Sequence, residues 1–145
     1  MKTYTVGFVF DTTLEQVLLV HKQKPEFQAG FLNGMGGKIE DGETAVQCMT
    51  RECTEETALV IPESDWMQFA TIKDTNGMNP EAEIYVYAAI YQGAMADAHK
   101  NDYEEIEWFP HQPLPDNALP NVRFLVPMAR EKLRGHDLKE VIIRH

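Results

Sequence analysis

"GGKIEDGETAVQCMTRECTEET", from Gly36 to Thr57, is the stretch whose reading decides the fold. Six of its residues are acidic, and Glu52, Glu55 and Glu56 crowd together late in a segment that carries helix signals. Thr44 followed by Gln47 has capping-box spacing, which predicts a helix starting just after Thr44. Ala58, Leu59, the β-branched Val60 and Ile61, and Pro62 end it, so the helix is expected over about 45–58. Val46, Met49 and Cys53 form one apolar stripe for docking on a sheet. The three glutamates share an arc of about 100° beside that stripe, which would bring three carboxylates to one spot.

That arrangement opposes helix formation. Like charges at i,i+4 cost roughly 0.2–0.5 kcal/mol. Anions near a helix C-terminus oppose the macrodipole by about 0.3–1 kcal/mol each. Locally only Arg51 can compensate, by pairing with Glu55 at i+4. One resolution is a solvated acidic face, the common fate of Glu-rich segments. The other is a divalent cation, and all-oxygen donors suit Mg²⁺, or Mn²⁺, rather than zinc. Mg²⁺ uses one or two carboxylates and shares its remaining positions with water and substrate phosphate.

On either side of this segment the chain reads as strands. "TYTVGFVF" and "QVLLVHK" flank the turn-like "DTTLE" and suggest a hairpin. A Gly-rich segment, "AGFLNGMGG", leads into the acidic helix. "WMQFATIKD" and "AEIYVYAAIY" follow as strands, the second alternating Ile84, Val86, Ala88 and Ile90 against Tyr85, Tyr87, Ala89 and Tyr91, so that both faces are covered. "YEEIEWF" is a shorter strand. "NVRFLVPMAREKLRG" reads as a second helix stopped by Gly135, with Pro127 expected to kink it or move its start. "LKEVIIRH" is a last strand. Strands interrupted by two helices predict an α+β fold, a mixed β-sheet flanked by helices.

The chain of 145 residues has no internal linker and is read as one domain spanning 1–145. No apolar run approaches the ~20 residues that span a bilayer, and Asp11 cuts off the N-terminal apolar run too early for a secretory signal. A cytoplasmic protein without membrane association is expected. Its net charge of −10 argues against a nucleic-acid polymer as partner, which needs Lys and Arg to displace counterions. Small phosphorylated ligands remain compatible if a cation intervenes. Cys48 and Cys53 stand five positions apart on the helix, ~7.5 Å along its axis and too far for a disulfide. "GMGGKI" lacks both the spacing and the final hydroxyl of a P-loop, and no EF-hand or H-E-x-x-H pattern can be laid on the chain.

Gly37, Glu43, Arg51, Glu52, Cys53, Glu55, Glu56, Ala58 and Leu59 together resemble the signature of the Nudix hydrolases. That signature runs Gly-x5-Glu-x7-Arg-Glu-apolar-x-Glu-Glu-x-Gly-apolar, and every charged position is filled at the right spacing. The resemblance implies the Nudix fold, an α/β/α sandwich, and Mg²⁺-dependent attack of water on a diphosphate linkage. It implies that Glu52, Glu55 and Glu56 ligate the metal, one of them helping to deprotonate the water, with the Gly37 carbonyl as a further metal contact. Arg51 would orient the carboxylates, Glu43 would support it, and Lys38 could reach a phosphate. The family's helix-ending Gly is Ala58 here; if that residue takes φ > 0, its Cβ costs roughly 1–2 kcal/mol.

Over most of the chain the similarity runs toward the MutT-type nucleoside triphosphate pyrophosphohydrolases, and within them toward the branch acting on oxidised purines. "FQAGFLNGMGGKIEDGET" carries Phe27, which by this match stacks on a base or else is a core aromatic. It also carries Asn33, which hydrogen-bonds the base edge or else serves as a turn residue before Gly34. Where that branch has Trp-Pro-Asp-Asp in its base pocket, this chain has Leu119, Pro120, Asn121 and Val122, so a changed base is expected, with Asn121 as a candidate reader. Asp102, Glu104 and Glu105 lie in a segment that often supplies an extra catalytic carboxylate in the family; the spacing does not single one out, and at least two are expected to be merely solvated.

The leading expectation is hydrolysis of a nucleoside triphosphate to monophosphate and pyrophosphate by a monomer or homodimer. The alternatives are a pyrophosphatase acting on ADP-ribose, a sugar nucleotide or a dinucleotide, and a nucleotide-sensing module without turnover.

Overall fold

Alternation at period two on three neighbouring strands builds the molecule. The computed structural model describes residues 1–74, 81–139 and 141–144. The elements are β1 (Lys2–Phe10), β2 (Gln16–His21), β3 (Leu32–Asn33), β4 (Met35–Lys38), α1 (Ala45–Thr57), β5 (Met67–Asp74), β6 (Ala82–Ile90), β7 (Glu105–Pro110), α2 (Val122–Leu133) and β8 (Val141–Arg144). Val6, Phe8 and Phe10 of β1, Val17 and Leu19 of β2, and Val86 and Ala88 of β6 point to one face, where they pack with α2. Val9, Leu18, Val20, Tyr87 and Ala89, the intervening positions, point to the other face and pack with Met49 and Cys53 of α1. A strand buried on both faces reads as a continuous apolar run, and β1 and β2 read that way.

The sheet runs β3-β2-β1-β6-β5-β8, with β4 also pairing β1 and β7 also pairing β2. β1 with β6 and β5 with β8 are parallel; the other pairs are antiparallel. β6 follows β1 from Lys2 to Phe10, so the other edge of β1 is shared, β4 taking Tyr4 to Gly7 and β2 taking Val9 and Phe10. This mixed sheet between two helices is the expected α+β sandwich. The hairpin turn is held by Asp11, whose Oδ1 accepts from the amides of Glu15 at 3.1 Å and Gln16 at 3.0 Å.

The Gly-rich segment ahead of the acidic helix, which carries no strand signal, contains β3 and β4. Glycine has little strand propensity, but β4 lies so close to β1 that a Cβ on Gly36 would stand 2.0 Å from the Thr5 carbonyl oxygen. Only a residue without a side chain fits. Pro127 does not move the start of α2, which begins at Val122. Its missing N–H leaves the Arg123 carbonyl without a helical partner. Both residues are exposed, so water can take the bond. Val122, Leu125, Val126 and Ala129 supply the buried stripe.

The last strand covers Val141–Arg144; Glu140 and His145 of the predicted segment lie outside the described residues. Cys48 and Cys53 are free and buried. Among the described residues no helix is long and apolar enough to cross a membrane.

Candidate active site

The cap of α1 forms as the sequence predicts. Thr44 Oγ1 accepts from the Gln47 amide at 3.2 Å, and Gln47 Oε1 accepts from the Thr44 amide at 2.9 Å. The helix then carries Arg51 to a point where one guanidinium gathers three glutamates. Nε and Nη2 of Arg51 donate to Glu43 Oε2 and Oε1 at 2.7 and 3.0 Å, a bidentate fork. Nη1 donates to Glu52 Oε1 at 2.9 Å and Glu55 Oε2 at 3.3 Å, and Nη2 reaches the Lys38 carbonyl at 3.4 Å. The Arg51 bond is the main reason that the Glu43 carboxyl is held down to about 2.

Glu52 lies against β4 beside Gly37, where a Cβ would come within 2.5 Å of Glu52 Oε1. Burial pushes the Glu52 carboxyl above its usual range, against the pull of Arg51. Glu56 faces a different way. It is 8% exposed, and its Oε2 accepts from the Gly36 amide at 2.8 Å. Burial pushes it up to about 8, with the Lys22 ammonium and the Gly36 amide acting in the opposite sense. The three carboxylates therefore do not meet at one spot: Glu52 and Glu55 turn to Arg51, while Glu56 turns under β4. Among the described residues no three His, Cys, Asp or Glu side chains are grouped so that they could hold a metal ion as they stand. The donor set still fits a hard divalent cation, being all carboxylate with a backbone carbonyl at the side-chain-free Gly37. The Cys48 thiol is turned to the Gly37 and Lys38 carbonyls and to Thr5 Oγ1 instead.

Compensation for the acidic helix also comes from outside it. Lys22, at the end of β2, places Nζ 3.9 Å from Glu56 Oε1 and 3.5 Å from Glu104 Oε1. Glu104 is 8% exposed, whereas Asp102 and Glu105 are exposed. Of the three acids the sequence left unresolved, only Glu104 faces α1. Lys22 was not among the candidates; its one signal is a charge placed directly after a buried strand.

The candidate base-reading residues lie on the β3 side. Phe27 is 75% exposed on a 3₁₀ turn, which removes the core-aromatic alternative. Asn33 is half-buried; its Nδ2 donates to Gln28 Oε1 at 3.4 Å and its Oδ1 accepts from the Gly34 amide at 2.8 Å. The Leu119 amide donates to the Leu32 carbonyl at 3.0 Å, bringing the Leu119–Asn121 segment alongside β3. Asn121 sits half-buried at the head of α2 with no capping bond from its side chain. Val122 is fully buried among core residues and is not available to select a base. Lys38 is exposed at the end of β4.

The sequence profile of the NUDIX domain matches residues 1–128. The chain belongs to the Nudix family of hydrolases, whose members generally use divalent metals. It is 28% identical to the oxidized purine nucleoside triphosphate hydrolase of Danio rerio over 141 residues, covering 88% of this chain and 84% of the relative. Its fold is similar to that of a NUDIX hydrolase from Nitrosomonas europaea, with a TM-score of 0.75, 19% identity, and coverage of 99% of this chain and 79% of the other. It is also similar to the NUDIX domain of Shewanella oneidensis NrtR, solved with ADP ribose, with a TM-score of 0.67, 22% identity, and coverage of 90% and 87%.

Proposed function

We propose that the chain, as one Nudix domain over 1–145, hydrolyses nucleoside triphosphates, normal or modified, to the monophosphate and pyrophosphate with Mg²⁺, or Mn²⁺ in its place. The observation that carries this reading is the Arg51 guanidinium, which holds Glu43, Glu52 and Glu55 together, with Glu52 against the side-chain-free Gly37. The relative that acts on oxidised purine nucleoside triphosphates supports the substrate class.

In this reading Glu52, Glu55, Glu56 and the Gly37 carbonyl would hold the cation, the glutamate side chains turning toward it from their present partners, and it would neutralise diphosphate charge and make a water more acidic. Glu43 locks Arg51, and Arg51 orients Glu52 and Glu55. The Gly36 amide fixes Glu56. Lys38, exposed beside this array, meets a phosphate oxygen. One of the glutamates takes the proton of the attacking water, and the bond between the α and β phosphates breaks to release pyrophosphate. Phe27 stacks on the base while Asn33 and Asn121 read its edge from two sides. Catalysis is then positioning and charge neutralisation rather than covalent chemistry.

The test is turnover of a nucleotide panel with Mg²⁺, with and without EDTA, resolving products. The panel holds the common NTPs and dNTPs, 8-oxo-dGTP, modified pyrimidine triphosphates, ADP-ribose and a dinucleotide. EDTA-sensitive release of monophosphate and pyrophosphate is expected. Turnover of ADP-ribose or the dinucleotide alone would move the activity to the diphosphate-linked substrates. Nucleotide binding with no turnover would make the protein a sensor.

A further inference from the structure

Lys22 stands at the end of a ladder that leaves its backbone little freedom. Its amide donates to the Phe31 carbonyl at 2.9 Å, and its carbonyl accepts from the Gly30 amide at 3.0 Å, continuing the pairing of β2 with β3. The side chain is 13% exposed and ends between two buried carboxylates, Glu56 and Glu104.

These two carboxylates are arranged alike. Glu56 gives Oε2 to the Gly36 amide at 2.8 Å, and Glu104 gives Oε2 to the Gln23 amide at 2.7 Å. Each is left with Oε1 directed to the same ammonium, at 3.9 and 3.5 Å. A seated charge-assisted bond is shorter, about 2.7–2.9 Å. The ammonium therefore neutralises both groups without sitting tightly on either. Two backbone amides pin the carboxylates, so they keep their places whether or not the ammonium stays.

We propose that Lys22 is the resident counter-cation of this site: it occupies the gap between Glu56 and Glu104 in the metal-free protein and gives way when a divalent cation binds. The inference rests on the divalent-cation reading above. Lys22 thereby competes with the metal, and its presence keeps two buried carboxylates tolerable in the protein before loading.

Binding of Mn²⁺, measured by electron paramagnetic resonance of the free ion, tests this on the wild type and on Lys22→Met. Removing a cation from beside the incoming one should tighten Mn²⁺ binding by at least about ten-fold. The metal-free variant should melt below the wild type, and saturating Mn²⁺ should raise its Tm by more. A folded variant with unchanged or weaker Mn²⁺ affinity overturns the proposal. Where Lys22→Met does not fold, the rate of Lys22 acylation in the wild type, followed by peptide mass spectrometry, gives the same answer. It should rise several-fold on adding Mg²⁺, and an unchanged rate overturns the proposal. Absence of Mn²⁺ binding to both proteins would take down the divalent-cation reading as well; binding that the variant leaves unaltered takes down only the role of Lys22.

Discussion

Ala58 places a Cβ where the family signature has none. It closes α1 at φ 66° and ψ −1°, and its amide donates to the Thr54 carbonyl at 2.9 Å. A left-handed residue with a side chain costs about 1–2 kcal/mol. The departure visible in the sequence thus acts as backbone strain and leaves the carboxylates where they are. Ala58→Gly is expected to raise stability by about 1 kcal/mol. In a domain of this size that is roughly 2–4 °C in Tm by calorimetry; a Tm that stays flat or falls would mean the turn is unstrained. Glu56→Gln tests the site at the same scale. The amide oxygen can still accept from Gly36, so circular dichroism should be unchanged. Turnover should fall at least ~100-fold, the scale of a lost electrostatic contact in a transition state. Near-normal turnover in the folded variant would remove Glu56 from the metal site.

At the scale of the element, α1 was legible because its determinants are local. The capping box, the Arg51–Glu55 spacing and the stop at Ala58 all lie within one short segment, and each forms. The convergence of the glutamates was misjudged, because an arc on a helix face says nothing of what draws each side chain. Arg51 draws two, and the Gly36 amide draws the third. β3 and β4 were illegible for another reason: β4 depends on how closely β1 approaches and β3 on its pairing with β2, neither of which a local propensity records. The Arg51–Glu43 fork also gives the helix a pH signature. Glu43 titrates at about 2, below its ordinary value of 4.5, so the folded state binds that proton less readily than the unfolded chain. Its contribution is full above about 4.5 and is lost as pH falls through 2. Urea unfolding of wild type and Glu43→Gln across a pH series should show a stability gap that is steady near neutral pH and closes in acid. A gap independent of pH would mean that the Arg51–Glu43 charge pair contributes nothing.

For the whole molecule, the site is an assembly of distant parts: the end of β2, β4, α1 and the segment before β7. Only the α1 and β4 share sits in one motif. Lys22 and Glu104 are 82 positions apart and meet because β2 pairs with β7, His21 opposite Glu105. Without the sheet register, Glu104 could not be told from Asp102 or Glu105. The coverage of both faces of β6 was legible from its alternation, whereas β1 and β2 read only as a hairpin; that they too are buried on both faces shows only in the packing of the two helices against them. The base-reading end was legible only through resemblance, and the structure narrows it by burying Val122.

The central strand of that sheet imposes an order in time. β1 lies alongside β6 with Lys2 opposite Ala82, a separation of 80 residues, so its long edge stays bare until a distant stretch of message has been read. A ribosome adding ~5–20 residues per second leaves "TVGFVF" waiting about 4–16 s for that partner. Chains stalled before Ala82 should be cut by protease within β1 and captured by chaperones that hold apolar segments. Chains stalled once Ile90 has cleared the exit tunnel should be protected there, so that the vulnerable interval in the life of this protein comes during synthesis.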